Sequence, residues 1–178
     1  MKESKEVLFR RLYRDHAQQL YGVAYRMVQN REDASDIVQE VFRKAYCGWH
    51  TFLGTARVST WLYRIAVNLS YDLLRRRQRR KVERLDPTFD IKGSHFSGEK
   101  EVREQDILDH VKEEIERLTE KQKLVFILRT YQELPYKEIA QITRSRIGTV
   151  KATYFQTMEK IRRNLKQKGV LDHAVRGM

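Results

Sequence analysis

Residues 134–161, LPYKEIAQITRSRIGTVKATYFQTMEKI, predict two helices separated by a tight turn. Pro135 suits the first turn of the shorter helix, where its missing N–H costs nothing. The helical apolar pattern runs to Ile142, breaks at residues 143–146 and resumes in a longer basic helix. The inner stripe of that second helix is Val150, Tyr154, Met158, Ile161 and Leu165. This order is typical of a helix-turn-helix, although a plain helical hairpin with a solvated basic face is the alternative.

The second helix of this motif carries side chains suited to DNA. Five near its start can reach base edges in the major groove: Thr149, Lys151, Ala152, Thr153 and Gln156. Others, in the turn or further along the helix, are placed for backbone phosphates: Arg144, Ser145, Arg146, Lys160 and Arg163. We therefore predict that the C-terminal part of the chain binds duplex DNA.

Two more helices and a linker precede the motif. Apolar residues recur at helical spacing over residues 107–118, and Thr119 with Gln122 forms a capping box for the next helix. Upstream of them, a stretch with one proline, two glycines and no apolar period is typical of a flexible linker. The predicted division is an N-terminal domain of residues 1–84, a linker of residues 85–104 and a C-terminal domain of residues 105–178.

Three helical patterns occupy the N-terminal domain. The first covers residues 8–28, and Asn30 can end it or cap the second. Gly48 closes the second helix, and Ser59 is the predicted cap of the third. The outer face of the third helix shows Tyr63, Arg64, Asn68 and Tyr71. No run alternates like a strand, so we predict an all-α fold of two small helical domains joined by a flexible linker.

Charge and composition narrow the function. The 178 residues carry a formal net charge of +12, and both predicted domains are basic, which favours a polyanionic partner such as nucleic acid. With 40% hydrophobic residues the chain can bury a core. Cys47 is the only cysteine, and neither a membrane span nor an apolar signal segment is found. These features predict a soluble, cytoplasmic protein.

A basic run, RRRQRRK at residues 75–81, ends the third helix. A solvated face or the helix dipole would also explain such a run, but six positive charges in seven positions favour phosphate contact. Five aromatic residues lie shortly before it: Trp49, Phe52, Trp61, Tyr63 and Tyr71. Aromatic faces beside basic side chains suit unstacked single-stranded bases, while core packing is equally open for any one ring.

The second helix presents a polar face opposite its apolar one. This face, called the acidic face below, consists of Asp33, Asp36, Gln39, Glu40 and Arg43. A convex helix face offers no pocket for acid–base chemistry or a metal. On a strongly basic protein such a surface suits a protein partner, and simple solvation is the alternative.

No metal, cofactor or catalytic site is predicted. The five histidines are scattered, and Cys47 with His50 supplies two ligands where zinc needs about four. Neither GxxxxGK nor GxGxxG occurs, and no Ser/His/Asp spacing indicates acyl transfer. We therefore predict a protein that is not an enzyme. The enzyme alternative, a nuclease or recombinase, lacks a carboxylate cluster or nucleophile.

Several segments resemble the extracytoplasmic-function (ECF) group of bacterial sigma-70-type factors. In the N-terminal domain, DASDIVQEVF at residues 33–42 resembles region 2.2, and STWLYRIAVN at residues 59–68, with Asp72 and the arginine run, resembles regions 2.3 and 2.4. LPYKEIA at residues 134–140 and GTVK at residues 148–151 resemble the two helices of region 4. The resemblance covers most of the chain in the family's order.

The resemblance implies two partners, core RNA polymerase and promoter DNA, and makes an anti-sigma factor a third. Region 2 would dock on the polymerase beta-prime clamp helices through the acidic face, while region 4 touches the beta flap. The -10 element would be bound and melted by Trp61, Tyr63, Arg64, Asn68, Tyr71, Arg75, Arg76 and Arg77. The -35 element would be bound by Arg144, Ser145, Arg146, Thr149, Lys151, Ala152, Thr153, Gln156 and Lys160.

Some positions depart from the family pattern. Arg144 and Arg146 stand where a turn glycine and a small cap are common, and Pro135 replaces a common serine cap. Gln156 and Ala152 stand where an arginine and a serine are common, so the usual -35 preference is not carried over. The alternative function is a self-sufficient helix-turn-helix repressor or activator, which would bind a DNA site without polymerase.

Overall fold

The computed structural model describes residues 4–83 and 102–170, and every regular element in those two ranges is helical. The N-terminal domain contains α1 (Lys5–Val28), α2 (Arg31–Cys47), a 3-10 turn (Trp49–Thr51) and α3 (Val58–Glu83). The C-terminal domain contains α4 (Val102–Glu116), α5 (Glu120–Phe126), a π-helical turn (Ile127–Tyr131), α6 (Tyr136–Ile142) and α7 (Ile147–Gln167). The prediction of two helical domains, the second with a helix-turn-helix, is confirmed.

The element boundaries refine the predicted division. Helix α4 begins at Val102, inside the stretch predicted as linker, and the rest of that linker lies outside the described residues. Helix α3 begins at Val58, so Ser59 lies in its first turn and the predicted cap at Ser59 is wrong. The difference arises because the backbone N–H of Trp61 already donates to the carbonyl of Arg57, which places the cap position at Arg57.

Side-chain caps fix two other helix starts as predicted. Asn30 accepts a hydrogen bond from the N–H of Asp33 at 3.0 Å and caps α2. Thr119 and Gln122 form the reciprocal capping box that starts α5. These local hydrogen bonds set where α2 and α5 begin, and therefore which of their faces turn toward the core.

A continuous apolar core extends through both domains. Its fully buried members include Val23, Val41 and Leu62 from the N-terminal domain, and Leu128 and Ile139 from the C-terminal domain. Helix α3 packs against α6 and thereby joins the two halves. The helix-turn-helix is consequently held directly beside α3, the helix with the predicted -10 residues.

A smaller apolar cluster anchors α7 within the C-terminal domain. Ile161 and Leu165 of α7 pack there against Leu118 and Phe126. The predicted stripe of α7 is correct except at Met158, which is exposed, because Thr157 occupies the buried position instead. The Thr157 hydroxyl is satisfied internally, since it donates to the carbonyl of Thr153 at 2.7 Å.

Candidate nucleic-acid and polymerase interfaces

The turn between α6 and α7 has the geometry that a helix-turn-helix requires. Arg144 lies in the left-handed region with φ of 51°, at the place where the related motif commonly has glycine. The N–H of Ser145 donates to the carbonyl of Ala140 at 2.9 Å, and Thr143 donates its hydroxyl to the carbonyl of Ile139 at 2.8 Å. The turn is thus closed by hydrogen bonds to α6, and the side chain of Arg144 is left exposed.

Helix α7 presents most of the predicted base-contacting residues to solvent. Its first turn has no side-chain cap, and its N-cap residue is Arg146 with extended backbone. Thr149, Lys151, Ala152 and Gln156 are exposed, and Thr153 is half-buried. An uncapped helix N-terminus with exposed polar side chains suits insertion beside DNA phosphates and base edges.

Two residues of α7 have environments that the sequence did not predict. Lys160 is half-buried, and its ammonium group donates to the carbonyl of Arg117 at 3.3 Å, so it ties α7 to α4 in addition to any phosphate role. Phe155, which the sequence analysis did not select, is 67% exposed on the same helix between Ala152 and Gln156. Phe155 lies among the predicted base-facing residues, so helical spacing alone could have indicated it as a further candidate.

A buried carboxylate braces α7 against α4. Glu114 is only 1% exposed and accepts hydrogen bonds from Asn164 at 2.6 Å, Lys168 at 3.0 Å and Arg117 at 3.1 Å. The hydrogen bond from Asn164, followed by the interactions with Lys168, lowers the pKa of Glu114 from its ordinary value. The network fixes the rotation of α7 about its axis, and so which side chains face outward.

The predicted -10 residues of α3 are divided between buried and accessible positions. Tyr63 is buried, contrary to its expected outward orientation, because the C-terminal domain covers it, and its hydroxyl donates to Gln132 at 3.0 Å. Burial raises the pKa of Tyr63 to about 12. Arg64 is half-buried and donates to the carbonyl of Gln141 at 3.1 Å. Sequence periodicity placed both residues on the solvent face of α3 because it could not register the second domain.

Asn68 and Tyr71 lie one helical turn further along α3. Asn68 is exposed and lines a cavity of about 270 Å³ whose opposite wall includes Thr143, Arg144 and Ser145. Tyr71 lines the same cavity and donates its hydroxyl to the carbonyl of Glu120 at 3.3 Å. Burial also raises the pKa of Tyr71 to about 12, so its hydroxyl remains a donor at neutral pH.

Trp61 belongs to an aromatic cluster at the start of α3. Its ring lies 5.9 Å from that of Trp49 and 5.3 Å from that of Phe52, and Phe9 adds an edge contact to Trp49 at 5.4 Å. All three rings around Trp61 are partly or fully buried. The cluster packs the start of α3, and Trp61 itself is half-buried, so part of its surface is accessible.

The arginine run continues α3 beyond the core. Arg75, Arg76 and Arg77 are all exposed, but Arg77 donates to the carbonyl of Val28 at 3.0 Å and pairs with Asp33. This residue thus satisfies the end of α1 and links α3 to α2. Its neighbours Arg75 and Arg76 line a groove of about 640 Å³ between α2 and α3.

The acidic face of α2 borders that groove through Glu40 and is partly exposed. Arg43 forms a two-point contact with Glu40, 2.6 Å for each hydrogen bond, and this contact lowers the pKa of Glu40 and raises that of Arg43. Asp33 is engaged by Arg77, whereas Asp36 and Gln39 are exposed. The helix face therefore carries both charges, and Asp36 and Gln39 are its most exposed acid and amide groups. Such a surface is suited to contact with another protein.

Two other features bear on the kind of protein. Among residues 4–83 and 102–170 no three His, Cys, Asp or Glu side chains are grouped closely enough to hold a metal ion. In the same described ranges, none of the helices combines the length and apolar character that a membrane span requires. The described residues form a helical protein with a helix-turn-helix, and this architecture is typical of DNA-binding transcription proteins.

Comparisons with known proteins agree with that class. Residues 12–80 match the Sigma-70 region 2 family and residues 109–161 match the family described as Sigma-70, region 4. The chain is 31% identical over 161 residues to the RNA polymerase sigma factor SigV of Bacillus subtilis, covering 90% of this chain and 93% of SigV. It is 33% identical over 142 residues to the ECF RNA polymerase sigma-E factor of Escherichia coli, covering 72% of each.

A solved structure shows the same fold. The sigma factor RpoE of Bartonella quintana, crystallised in complex with the anti-sigma factor NepR, superposes with a TM-score of 0.68 at 21% identity, covering 89% of this chain and 96% of that one. The chain belongs to the ECF group of the sigma-70 family, and it directs transcription initiation by RNA polymerase at promoters. A self-sufficient repressor or activator is not favoured, since sigma regions match in both domains.

Proposed function

We propose that α7 binds the -35 element as duplex DNA, with Thr149, Lys151, Ala152, Thr153 and Gln156 toward bases. Arg144, Ser145 and Arg146 would hold the flanking phosphates, and Lys160 adds a contact near the middle of the helix. The exposed, uncapped start of α7 beyond a closed left-handed turn is the observation that carries this assignment. Phe155 joins the proposed set, because an exposed ring there can contact thymine methyl groups.

We infer that α3 recognises and melts the -10 element. Arg64 and Asn68 would hold the displaced strand, and Tyr71 and Trp61 would stack on unpaired bases. Tyr63 is left out of the stacking set because the C-terminal domain buries it. The arginines of the run, above all Arg75 and Arg76, would bind phosphates. Unstacking a base costs about a few kcal/mol per step, and capture of the unstacked base offsets this cost. The donors and rings required for this are adjacent on successive turns of one helix.

Core polymerase binding is proposed for the acidic face of α2, formed by Asp33, Asp36, Gln39, Glu40 and Arg43. Asp36 and Gln39 are exposed there, and Glu40 with Arg43 presents a fixed ion pair beside them. The partner would be the beta-prime clamp helices, while the C-terminal domain contacts the beta flap.

We further propose that the division near residues 84 and 105 separates two functional domains and that the chain has no catalytic activity of its own. We also propose that it acts in the cytoplasm and is restrained there by an anti-sigma factor.

The experiment that tests the whole proposal is run-off transcription with purified core polymerase on genomic fragments, followed by sequencing of the start sites. We expect transcripts that share a -10 and a -35 element and that depend on this chain. Tight, specific binding to a palindromic site without polymerase, together with no dependent transcript, would contradict it.

A residue-level test addresses Asn68. Asn68→Ala is expected to lower open-complex formation more than initial promoter binding, because its proposed contact exists only with the separated strand. Permanganate reactivity of thymines near the start site measures opening, and gel shift of the holoenzyme measures initial binding. Equal losses in both measurements would remove Asn68 from strand capture.

A further inference from the structure

The cavity beside Asn68 has the size of a small-molecule site. Its volume is about 270 Å³, and its walls come from α3, from α5 and from the end of α6 with the turn that follows. Pockets for drug-sized ligands span about 300–1,000 Å³, so this cavity suits a ligand slightly smaller than those. The lining consists of Val67, Asn68, Tyr71, Lys121, Leu124, Ile142, Thr143, Arg144 and Ser145.

The charged side chains that line this cavity are both cationic. They are Lys121 and Arg144, and the described residues of the lining include neither Asp nor Glu. The larger groove between α2 and α3 differs in this respect, since Glu40 and Asp72 line it together with cationic residues. The charge of the smaller cavity therefore favours an anion, whereas the larger groove has mixed charge.

Three donor groups of the lining are free to bind a ligand. The lining hydroxyls are already used, because each donates to a backbone carbonyl. By contrast, the side chains of Asn68, Lys121 and Arg144 have no hydrogen-bond or ion-pair partner among residues 4–83 and 102–170. Burial and the charge of Glu120 raise the pKa of Tyr71 to about 12, but Glu120 itself is not part of the lining.

The deepest part of the lining is apolar. Val67, Leu124 and Ile142 are each at most 3% exposed, and they come from three different helices. Apolar surface of this kind stabilises a bound apolar group by removing it from water. A few polar groups above an apolar lining are the usual composition of a small-molecule site.

A phosphate monoester that carries a flat apolar group matches this lining. At pH 7 its phosphate has a charge of about −1.5 to −2 and three acceptor oxygens, which suit one ammonium and one guanidinium group. A nucleobase has an apolar face for the floor, and its polar edge can pair with an asparagine amide, as adenine does. A mononucleotide combines the two parts in one small molecule.

We propose that this cavity binds a nucleoside monophosphate. Lys121 and Arg144 bind the phosphate, Asn68 pairs with the edge of the base, and the apolar floor receives the face of the base. The ligand contacts both domains, because the walls of the cavity come from both. The site goes beyond the proposed function, since Lys121 belongs to neither of the surfaces proposed to bind promoter DNA.

Calorimetric titration of the full-length chain with AMP at low salt tests the site. Lys121→Ala is expected to weaken AMP binding about tenfold, because a charge-assisted hydrogen bond is lost. Lys121→Arg keeps the charge and is expected to restore most of the affinity. Lys137→Ala is the matched control, since it removes an exposed lysine of the same domain that does not line the cavity. Circular dichroism verifies that the variants are folded.

The two parts of the ligand are tested separately. Adenosine and inorganic phosphate are each expected to bind more weakly than AMP, because each supplies only one part. In NMR spectra of the isotope-labelled chain, AMP is expected to shift the signals of Asn68 on α3 and of Ser145 in the turn together. Inorganic phosphate that binds as tightly as AMP, or shifts confined to one wall, would overturn the proposal.

A tetranucleotide with a 5′-phosphate distinguishes a free nucleotide from the end of a DNA strand. We expect it to bind through the arginine run and α7, so that Lys121→Ala changes its affinity little. Equal losses for AMP and the tetranucleotide would assign Lys121 to strand binding and overturn the proposal. An equal loss of AMP affinity in Lys137→Ala, or no saturable AMP binding to the wild type, would do the same.

Failure of this inference is distinguishable from failure of the proposed function. The titrations and spectra use the chain alone, so they remain measurable if run-off transcription yields no transcript. Conversely, chain-dependent transcripts without AMP binding would retain the proposed function and eliminate the nucleotide site.

Discussion

At the residue scale, Arg144 lies in the turn of the helix-turn-helix with an unfavourable backbone angle. The position has φ of 51°, where a β-carbon crowds the backbone, and most residues avoid it. The neighbouring Arg146 has φ of −74° and extended backbone, which any residue adopts without strain. An arginine at this strained position is consistent with a role outside the fold, such as the phosphate contact proposed for Arg144.

Arg144→Gly is therefore expected to raise the free energy of unfolding by up to about 1 kcal/mol, because glycine adopts the left-handed region without strain. The same variant is expected to weaken binding of holoenzyme to -35 duplex. Urea unfolding and promoter gel shifts measure the two effects. Arg144→Ala is the matched control, since it removes the same side chain but keeps a β-carbon at the strained φ, so no gain in stability is expected. Destabilisation by Arg144→Gly would contradict the strain argument.

At the element scale, the position of α7 depends on α4 as much as on its own sequence. The carboxylate of Glu114 gathers Asn164, Lys168 and Arg117, and Lys160 adds a bond to the end of α4. Because these bonds approach α7 from one side, they leave its opposite face, with Phe155, to solvent. The proposed -35 surface includes this exposed face.

Glu114→Gln is expected to lower the free energy of unfolding by about 1–3 kcal/mol at neutral pH, because the buried side chain no longer offers a charged acceptor to its three donors. The pKa of Glu114 is lowered in the folded chain, so its stabilisation is present above the ordinary carboxyl pKa and is lost as the pH falls through the lowered value. The difference between wild type and variant therefore narrows in acid. Urea titrations across that range test this, with the exposed neighbour Glu113→Gln as a control of little effect.

Helix α2 is the element assigned to polymerase. Asp36→Arg combined with Glu40→Arg is expected to abolish co-purification with core polymerase while leaving helicity intact, because both residues lie outside the apolar face of the helix. Charge reversal of Glu6 and Asp15 on α1 is the matched control and is expected to retain binding. Unimpaired co-purification of the α2 variant would remove this face from the interface.

At the scale of the whole molecule, the two domains share one core. Val41 and Leu62 on one side and Leu128 and Ile139 on the other belong to a single buried cluster. A shared core predicts that the halves stay together without the covalent connection, since apolar burial rather than the linker holds them.

A protease site placed within residues 84–101 tests this directly. After cleavage the two fragments are expected to co-elute in size-exclusion chromatography and to unfold in one transition. In a Glu138→Lys variant, the fragments are expected to separate more readily, because the contacts of Glu138 with Arg57 and Thr60 are lost. Separate elution of the wild-type fragments would show that the shared core is too weak to hold the domains.

Sequence patterns predicted the elements well where the cause is local. The caps at Asn30 and Thr119 and the apolar stripe of α2 follow from hydrogen bonds and spacing within a few residues. The error at Met158 arose because an apolar residue was assumed inside, whereas Thr157 can be buried by returning its hydroxyl to the backbone of its own helix. Phe155 was missed because an exposed aromatic residue is compatible with the helical pattern, so the pattern did not mark it.

The sequence by itself determined that this chain is helical and basic, since periodicity, capping and charge are properties of neighbouring residues, and its motifs carry the resemblance to sigma factors. Only the tertiary structure decided that Tyr63 is covered, that Arg77 serves the end of α1, and that Glu138 faces Arg57. The physical reason is that burial and ion pairing depend on which surfaces meet. Residues some seventy positions apart meet through the packing of α3 on α6, which no local pattern encodes.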